Sequence, residues 1–449
     1  MKALAAMLLL GCAACAGSTP LERLIEGVAV APPEIAADIL VRVVEKRLIR
    51  EPKAAKGLLE QGWHLAGQAR LPMPRRALPL LVQPGTVQAG VMGRSAGLDS
   101  LSLRARILKQ LHEFDRAEAL EWLRGTGAPV PEAVECGSAW VWDPGPWFEV
   151  MEAIGTLEDR LRAVQDVTRP EQLAPALELV LGYQGTGEER AMLAGRWAGS
   201  LAAVRGDSVA FEATRELPAR MAVVAEKLRA EGQSAAFLAD AWRMYLLTHW
   251  RGEVCEQYAS EANRRTWRLR TDSAYNKRLR EAAASDAPEI NFDEEAKPAR
   301  IIPFETLRDD EMRTRFEEWG ALVGSVARVV PALGQEASPG EVRQAVLDLL
   351  EQMEAWSEPV EGVSGEQWLQ LRLMAVNPLL MQVDGETRRD VLRWRLRLLR
   401  DSELQRTAPE AWLAAWRQVL PAAPAELVRE AGSPLMDLML LAHEILGWQ

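Results

Sequence analysis

The segment 93–97, GRSAG, matches the G-x-S-x-G pattern that holds a nucleophilic serine between a strand and a helix in α/β-hydrolases. His443 lies far downstream of Ser95, in the order that such a catalytic triad requires. However, residues 20–69 have helical periodicity and contain no glycine-rich oxyanion loop. We therefore interpret the segment as a loop that leads into a helix, and a serine hydrolase at Ser95 is the second alternative function.

Tryptophan is frequent, with 16 residues against 7 phenylalanines and 4 tyrosines. Trp140, Trp142 and Trp147 surround Asp143 in a stretch rich in proline and glycine, where they could stack on a sugar beside a carboxylate. Most other tryptophans lie in helical patterns, where large aromatic side chains fill the space between helices. No pair of carboxylates is identifiable by spacing as acid and base, so an (α/α) barrel-type carbohydrate-active enzyme is the first alternative.

Metal and nucleotide sites are not indicated. The H-E-x-x-H patterns that begin at His112 and His443 lack the second histidine. The acidic segment 291–302 resembles a calcium loop, but Ala296 replaces the turn glycine. Neither a Walker lysine loop nor a G-x-G-x-x-G motif occurs. We predict no catalytic residue, no metal ligand and no cofactor.

The chain has a net charge of −11, which argues against nucleic acid as a partner because phosphate binding requires clustered positive charge. Basic residues do concentrate in segment 264–280, around Trp267 and Tyr275, directly before an acidic stretch. A second basic group shares one stripe of a predicted helix and consists of Arg389, Arg393, Arg397 and Arg400. We interpret the first group as internally paired or solvated charge and the second as an exposed helix face.

Helical periodicity extends along most of the chain, and six Ser/Thr-x-x-Glu/Gln capping boxes precede apolar-periodic runs. These boxes are Thr19 with Glu22, Thr168 with Glu171, Thr186 with Glu189, Ser338 with Glu341, Ser364 with Gln367, and Thr407 with Glu410. Strand signals are limited to 140–142 and 300–302. The sequence predicts an all-α fold, either an irregular array of helical hairpins such as 33–69 or a bundle, without a central sheet.

Residues 1–16 have the pattern of an export signal, with Lys2 followed by a short apolar stretch and then small residues. Cleavage after Ala16 would be ordinary secretion, whereas Leu9 to Cys12 resembles a lipoprotein acylation site. Cys12 and Cys15 are thus the lipidation candidates. Either route predicts an exported protein, periplasmic or anchored on the extracytoplasmic side of the membrane.

Beyond this signal the chain has two cysteines, Cys136 and Cys255, and an oxidising compartment favours a disulfide between them. Two separately buried thiols are the alternative. Three irregular stretches also interrupt the chain, and the acidic, proline-containing one at 286–303 is the best boundary. It divides the chain into an N-terminal helical domain at 17–285 and a C-terminal helical domain at 304–449.

Several segments taken together resemble a bacterial family of exported, helix-rich proteins of unknown function. They are LDSLSLRARILKQLHEFDRAEALEWL (98–123), Cys136, HWRGEVCEQYA (249–259) and LRDSELQRTAPEAWLAAW (399–416). This resemblance implies an all-helical fold and a matched cysteine pair, and it implies no reaction. We therefore expect a non-enzymatic exported scaffold or binding protein of unknown ligand. We expect its partner to be an envelope protein and any membrane contact to be made through an N-terminal lipid.

We predict that the mature protein lacks at least residues 1–11, because the signal is removed on export. Intact-mass analysis distinguishes the two routes, since acylation of Cys12 adds lipid mass whereas ordinary secretion leaves Gly17 as the first residue. Detection of an intact Met1 in protein purified from the native cell would contradict export.

Overall fold

The computed structural model describes residues 18–77, 97–136, 138, 140–205, 212–214, 216–256, 274–286, 288, 299–303, 310–334, 336–356 and 364–447. Helices dominate these residues, and the strands among them form two small two-stranded sheets. The predicted all-α fold without a central sheet is confirmed. Within the described ranges, no helix is both long enough and apolar enough to cross a membrane.

Twelve α-helices are described before residue 300. They are α1 (Pro20–Gly27), α2 (Pro33–Glu45), α3 (Pro52–Ala66), α4 (Ser100–Phe114), α5 (Arg116–Thr126), α6 (Gly145–Ile154), α7 (Leu157–Gln165), α8 (Pro170–Leu181), α9 (Gly187–Ala203), α10 (Leu217–Ala230), α11 (Ala236–Trp250) and α12 (Ala274–Ala283). Helices α2 and α3 pack extensively on each other, as predicted for a hairpin at 33–69.

Ten α-helices are described after residue 303. They are α13 (Asp310–Val326), α14 (Val329–Leu333), α15 (Pro339–Ala355), α16 (Gly365–Ala375), α17 (Asn377–Gln382), α18 (Gly385–Arg400), α19 (Leu404–Thr407), α20 (Pro409–Val419), α21 (Ala425–Glu430) and α22 (Pro434–Leu446). Short 3-10 turns at Val28–Val30, Glu212–Thr214 and Leu420–Ala422 complete the helical elements.

Four three-residue strands pair over long sequence distances. Strands β1 (Arg75–Ala77) and β2 (Trp140–Trp142) are antiparallel, with Arg75 opposite Trp142. Strands β3 (Glu253–Cys255) and β4 (Arg300–Ile302) are parallel. Both short strand signals in the sequence, at 140–142 and 300–302, therefore correspond to strands.

Four of the predicted capping boxes form reciprocal side-chain bonds, at Thr19, Thr186, Ser338 and Ser364. The boxes predicted at Thr168 and Thr407 are wrong. In each case the helix begins at a proline, Pro170 or Pro409, whose fixed φ suits the first helical position. The N-cap is therefore the residue between the threonine and the proline, Arg169 or Ala408, and not the threonine itself. At α8 the carbonyl oxygen of the Gln172 side chain instead accepts bonds of 2.8 and 2.9 Å from the amides of residues 168 and 169.

The buried apolar side chains form two large cores, and α2 contributes to both. The first core gathers side chains from α2 to α12, and the second joins α1 and α2 to α13, α15–α18 and α20–α22. The face of α2 in the first core consists of Ala37, Val41 and Val44, and the face in the second core consists of Ile35, Ala36, Ile39, Leu40 and Val43. The chain division at 286–303 stays a prediction, and the first two helices pack with the C-terminal ones.

A polar stripe on α2 carries Asp38, whose side chain is completely buried. Its carboxylate accepts a 2.9 Å bond from Nε of Arg42 and a further bond from Arg106 of α4, which also binds Glu45 at 2.7 and 2.9 Å. Burial alone would lower the pKa of Arg106, but its bonds to Glu45 and the charge of Asp38 raise it above the usual value.

Asp38 also acts on the second core. Burial lowers the pKa of Arg417 on α20, and the negative charge of Asp38 opposes that shift. One buried carboxylate thus compensates cations from both parts of the molecule. Removing the charge would leave the half-buried guanidinium groups of Arg106 and Arg417 less well compensated, which is costly in a low-dielectric environment.

We predict that Asp38→Asn lowers the free energy of unfolding by about 3 kcal/mol, toward the lower end of the range for breaking a buried ion pair because Glu45 still binds Arg106. Urea-induced unfolding followed by circular dichroism measures this loss. Hydrogen exchange should show faster opening of both α4 and α20.

Glu113→Gln is the matched control, because Glu113 pairs with Arg47 at 3.5 Å on the exposed surface and such pairs contribute little. Equal unfolding midpoints for the two variants would contradict the role assigned to Asp38.

Candidate functional site

The structure brings Cys136 and Cys255 to disulfide-bonding distance, with their Cα atoms 5.6 Å apart although 119 positions separate them in sequence. Cys255 ends β3, and Cys136 lies in the irregular stretch between α5 and β2. A third, small core surrounds the pair and includes Met73, Val141 and Trp142. Closing a loop of this length stabilises the folded state by roughly 4–5 kcal/mol in the chain-entropy model.

The tryptophans beside this pair are mostly covered. The Arg75 guanidinium carbon lies 4.5 Å from the ring centroid of Trp140 and 5.3 Å from that of Trp142, as in cation–π contacts. Trp142 and Trp147 are buried, and Trp147 Nε1 donates to Thr126 at 3.3 Å. These three rings serve packing, so they offer little open aromatic surface for a sugar. The carbohydrate alternative stays a prediction.

Asp143, the carboxylate of that alternative, is half-buried, and its Oδ1 accepts a 2.9 Å bond from the amide of Gly145 at the start of α6. Asp99 is its acidic neighbour at the start of α4, where Oδ1 accepts a 2.8 Å bond from the amide of Ser102. Asp99 is fully buried, and its Oδ2 has no hydrogen-bond partner among the described residues. Burial raises the pKa of Asp99, and the charge of Asp143 adds to the rise.

Several candidates from the sequence lie outside the described residues. They are Ser95, Cys12, Cys15, the basic residues 264–270 and the calcium-like residues 291–295. The lipidation sites and the serine hydrolase therefore stay predictions. Within the described part of the chain, no group of three or more His, Cys, Asp or Glu side chains is placed to hold a metal ion.

The arginine stripe on α18 is the element of the sequence analysis that leads to a cavity. A groove of about 430 Å³ lies between α15, α18 and α21, within the size range of small-molecule sites. Its apolar lining is made of Leu347, Leu350, Trp394, Leu396 and Leu427, and most of these side chains are buried. We call this cavity the C-terminal groove.

Helical spacing explains how the groove receives both signs of charge. On α15, Leu347, Leu350, Glu351 and Glu354 recur at three- and four-residue intervals and so share one face. On α18, Asp390, Arg393, Arg397 and Arg400 do the same. The groove therefore has an acidic wall from α15 and a mainly basic wall from α18, above an apolar floor.

Ion pairs hold part of this charge in place. Arg393 of α18 lies 2.8 Å from Glu386, 3.1 Å from Asp390 and 3.4 Å from Glu430 of α21. Asp390 also accepts a 2.6 Å bond from Arg343 of α15. These contacts connect the three helices at the groove, and the bonds to Glu386, Glu430 and Asp390 raise the pKa of Arg393.

The arginine stripe is an exposed helix face at Arg389, Arg397 and Arg400, as interpreted from the sequence, and Arg389 pairs with Glu386 at 3.4 Å. Sequence reasoning missed the groove itself. The mixture of leucine and glutamate on one face of residues 347–354 was the available signal, but the partner helices lie far away in sequence. None of the protein-family models, curated proteins and solved structures compared with the chain matches it.

We predict that Asp99→Asn stabilises the protein at pH 7. A carboxyl whose folded pKa lies above its ordinary value of 3.8 favours folding at low pH and loses that contribution as the pH rises through the folded pKa. Asparagine still accepts the capping bond and does not ionise. The advantage of the variant should therefore disappear below pH 3.8, as measured by melting temperature across pH.

Asp115→Asn is the control with the opposite sign. Asp115 caps α5, and the bond from the Glu118 amide lowers its pKa, so its stabilisation is present at neutral pH and is lost on acidification. We expect this variant to be less stable than the wild type at pH 7. If stability changed with pH in the same way for both variants, the raised pKa of Asp99 would not be the cause of its effect.

Proposed function

We propose that this protein is an exported, non-enzymatic binding protein that holds its ligand in the C-terminal groove. The observation that carries the proposal is the groove itself, since it combines an apolar floor with convergent charged groups at the size of a small-molecule site. Its lining comes from three helices that ion pairs connect, so the groove is formed before a ligand arrives. Such preorganisation favours binding because few protein side chains lose conformational entropy when the ligand binds.

Export is part of the proposal and is supported by the signal-like residues 1–16. The proximity of Cys136 and Cys255 is compatible with it, since disulfides persist in oxidising compartments. The resemblance to an exported helix-rich family and the expected envelope partner remain predictions.

We predict that Ala431→Trp abolishes ligand binding. Ala431 is only half-buried and lines the groove beside α21, so an indole there would fill the cavity without displacing a core side chain. A thermal-shift screen of amino acids, short peptides, sugars, nucleotides and fatty acids should yield compounds that raise the melting temperature of the wild type and leave this variant unchanged.

Ala202→Trp is the matched control, because Ala202 is exposed on α9 and belongs to the first part of the molecule. It should respond to the same compounds as the wild type. Compounds that stabilise all three proteins equally, or a screen without any stabilising compound, would contradict the groove as a binding site. Labelling by a fluorophosphonate that Ser95→Ala abolishes would contradict a non-enzymatic function.

A further inference from the structure

The charges in the C-terminal groove restrict the chemistry of its ligand. Three guanidinium groups, those of Arg393, Arg397 and Arg400, face four carboxylates, those of Glu351, Glu354, Asp390 and Glu430. A polyanion would be repelled by the carboxylates, and a polycation by the guanidinium groups. The arrangement is complementary to a small ligand that carries one charge of each sign.

Two of these arginines are already engaged. Arg400 makes a bidentate pair with Asp401, at 2.7 and 2.9 Å, and also lies 3.4 Å from the carbonyl oxygen of Ala431. Arg393 contacts Glu386, Asp390 and Glu430 at once. A ligand that displaced these bonds would have to replace them, so Arg393 and Arg400 are less available to a ligand.

The charges in the middle of the groove are less engaged. Arg397 and Glu354 are about half exposed, and their nearest charged atoms are 3.9 Å apart. Glu351 is exposed and makes no hydrogen bond or ion pair with another described residue. An open, exposed pair of this kind contributes little to stability. Ligand groups of opposite charge can therefore separate Arg397 from Glu354 at low cost.

The floor below these charges is apolar. Leu350, Leu396 and Leu427 are at most 4% exposed, and Trp394 is 1% exposed. The Trp394 indole Nε1 has no acceptor among the described residues, which is unusual for a buried tryptophan. Apolar contact with aliphatic side chains comes mainly from Leu347, which lines the groove and is 37% exposed, and the buried Trp394 is a fluorescent group in the lining.

We propose that the C-terminal groove binds a short apolar peptide of two or three residues with free termini. The peptide ammonium group pairs with Glu351 and Glu354, its carboxylate pairs with Arg397, and its side chains lie on the leucine and tryptophan floor. Volume supports a ligand of this size, because about 430 Å³ holds a small molecule and not a folded element. This inference rests on the binding function proposed above and specifies its ligand.

Isothermal titration calorimetry of the mature chain with Leu-Leu tests the proposal, with Trp fluorescence as a second measurement. Capping the peptide as N-acetyl-Leu-Leu or as Leu-Leu-amide removes one terminal charge at a time. We expect each cap to weaken binding about tenfold or more, since each removes a charge-assisted bond. Free leucine, with both charges and one side chain, should bind more weakly than Leu-Leu.

The protein variants assign each terminus to a wall. Arg397→Gln should weaken Leu-Leu binding about as much as the amide cap does, and it should not weaken Leu-Leu-amide further. The double variant Glu351→Gln/Glu354→Gln should behave in the same way toward the N-acetyl peptide. Arg429→Gln is the control, because Arg429 pairs with Glu444 at 3.6 Å and does not line the groove.

If the loss of binding free energy from a peptide cap added to that from the matching substitution, the assignment of each peptide terminus to its wall of the groove would be wrong. Absence of Leu-Leu binding, while Ala431→Trp still removes binding of another compound, would overturn the peptide ligand and leave the groove function intact. Leu-Leu binding that survives Ala431→Trp would place the peptide elsewhere and overturn this inference.

Discussion

The ion pairs of the buried Asp38 carboxylate are the interaction on which the packing of α2 between the two cores depends. This carboxylate lies on α2, which contributes buried apolar side chains to both cores, and it compensates Arg106 and Arg42 directly while it acts electrostatically on Arg417. A helix that is apolar around most of its surface must be buried on all sides. On the polar stripe of α2, Asp38 connects α2 to α4 through its bond to Arg106.

The segment that carries Cys136 has few helical contacts to hold it. Between α5 and α6 the chain contains several prolines and glycines and little regular structure, so it buries fewer backbone bonds than the helices do. The close pair Cys136 and Cys255, the two-residue contact of Arg75 with Trp140 and Trp142, and the strand pairing of β1 with β2 all act on this segment. Contacts of Arg75 with Trp140 and Trp142, and the close cysteine pair, take the place of helix packing in this segment.

The C-terminal groove shows how a binding surface can form from helices that also carry the second core. The side chains of α18 that face the core are apolar, and Arg395 on that side is buried as well, with its pKa lowered by burial to about 10. The opposite face carries the arginines of the groove. Because α15 contributes carboxylates to the facing wall, the groove is nearly balanced in charge, and strongly engaged pairs at its edges leave the weaker pair of Arg397 and Glu354 in the middle.

The sequence by itself determined the features that depend on neighbours along the chain. Helical periodicity, four of the capping boxes and the hairpin at 33–69 follow from the local pattern of side chains. The signals at 140–142 and 300–302 were too brief to predict strands, and pairing with distant segments formed them. For Cys136 and Cys255 the sequence left a disulfide or two separate buried thiols open, and the structure brings the two residues to disulfide-bonding distance. Only the tertiary structure decided that α2 contributes to both cores and that Asp38 and Asp99 are buried. It also brought Glu351 and Glu354 to the same groove as Arg397. Those facts depend on packing between helices tens to hundreds of residues apart, which no local period encodes.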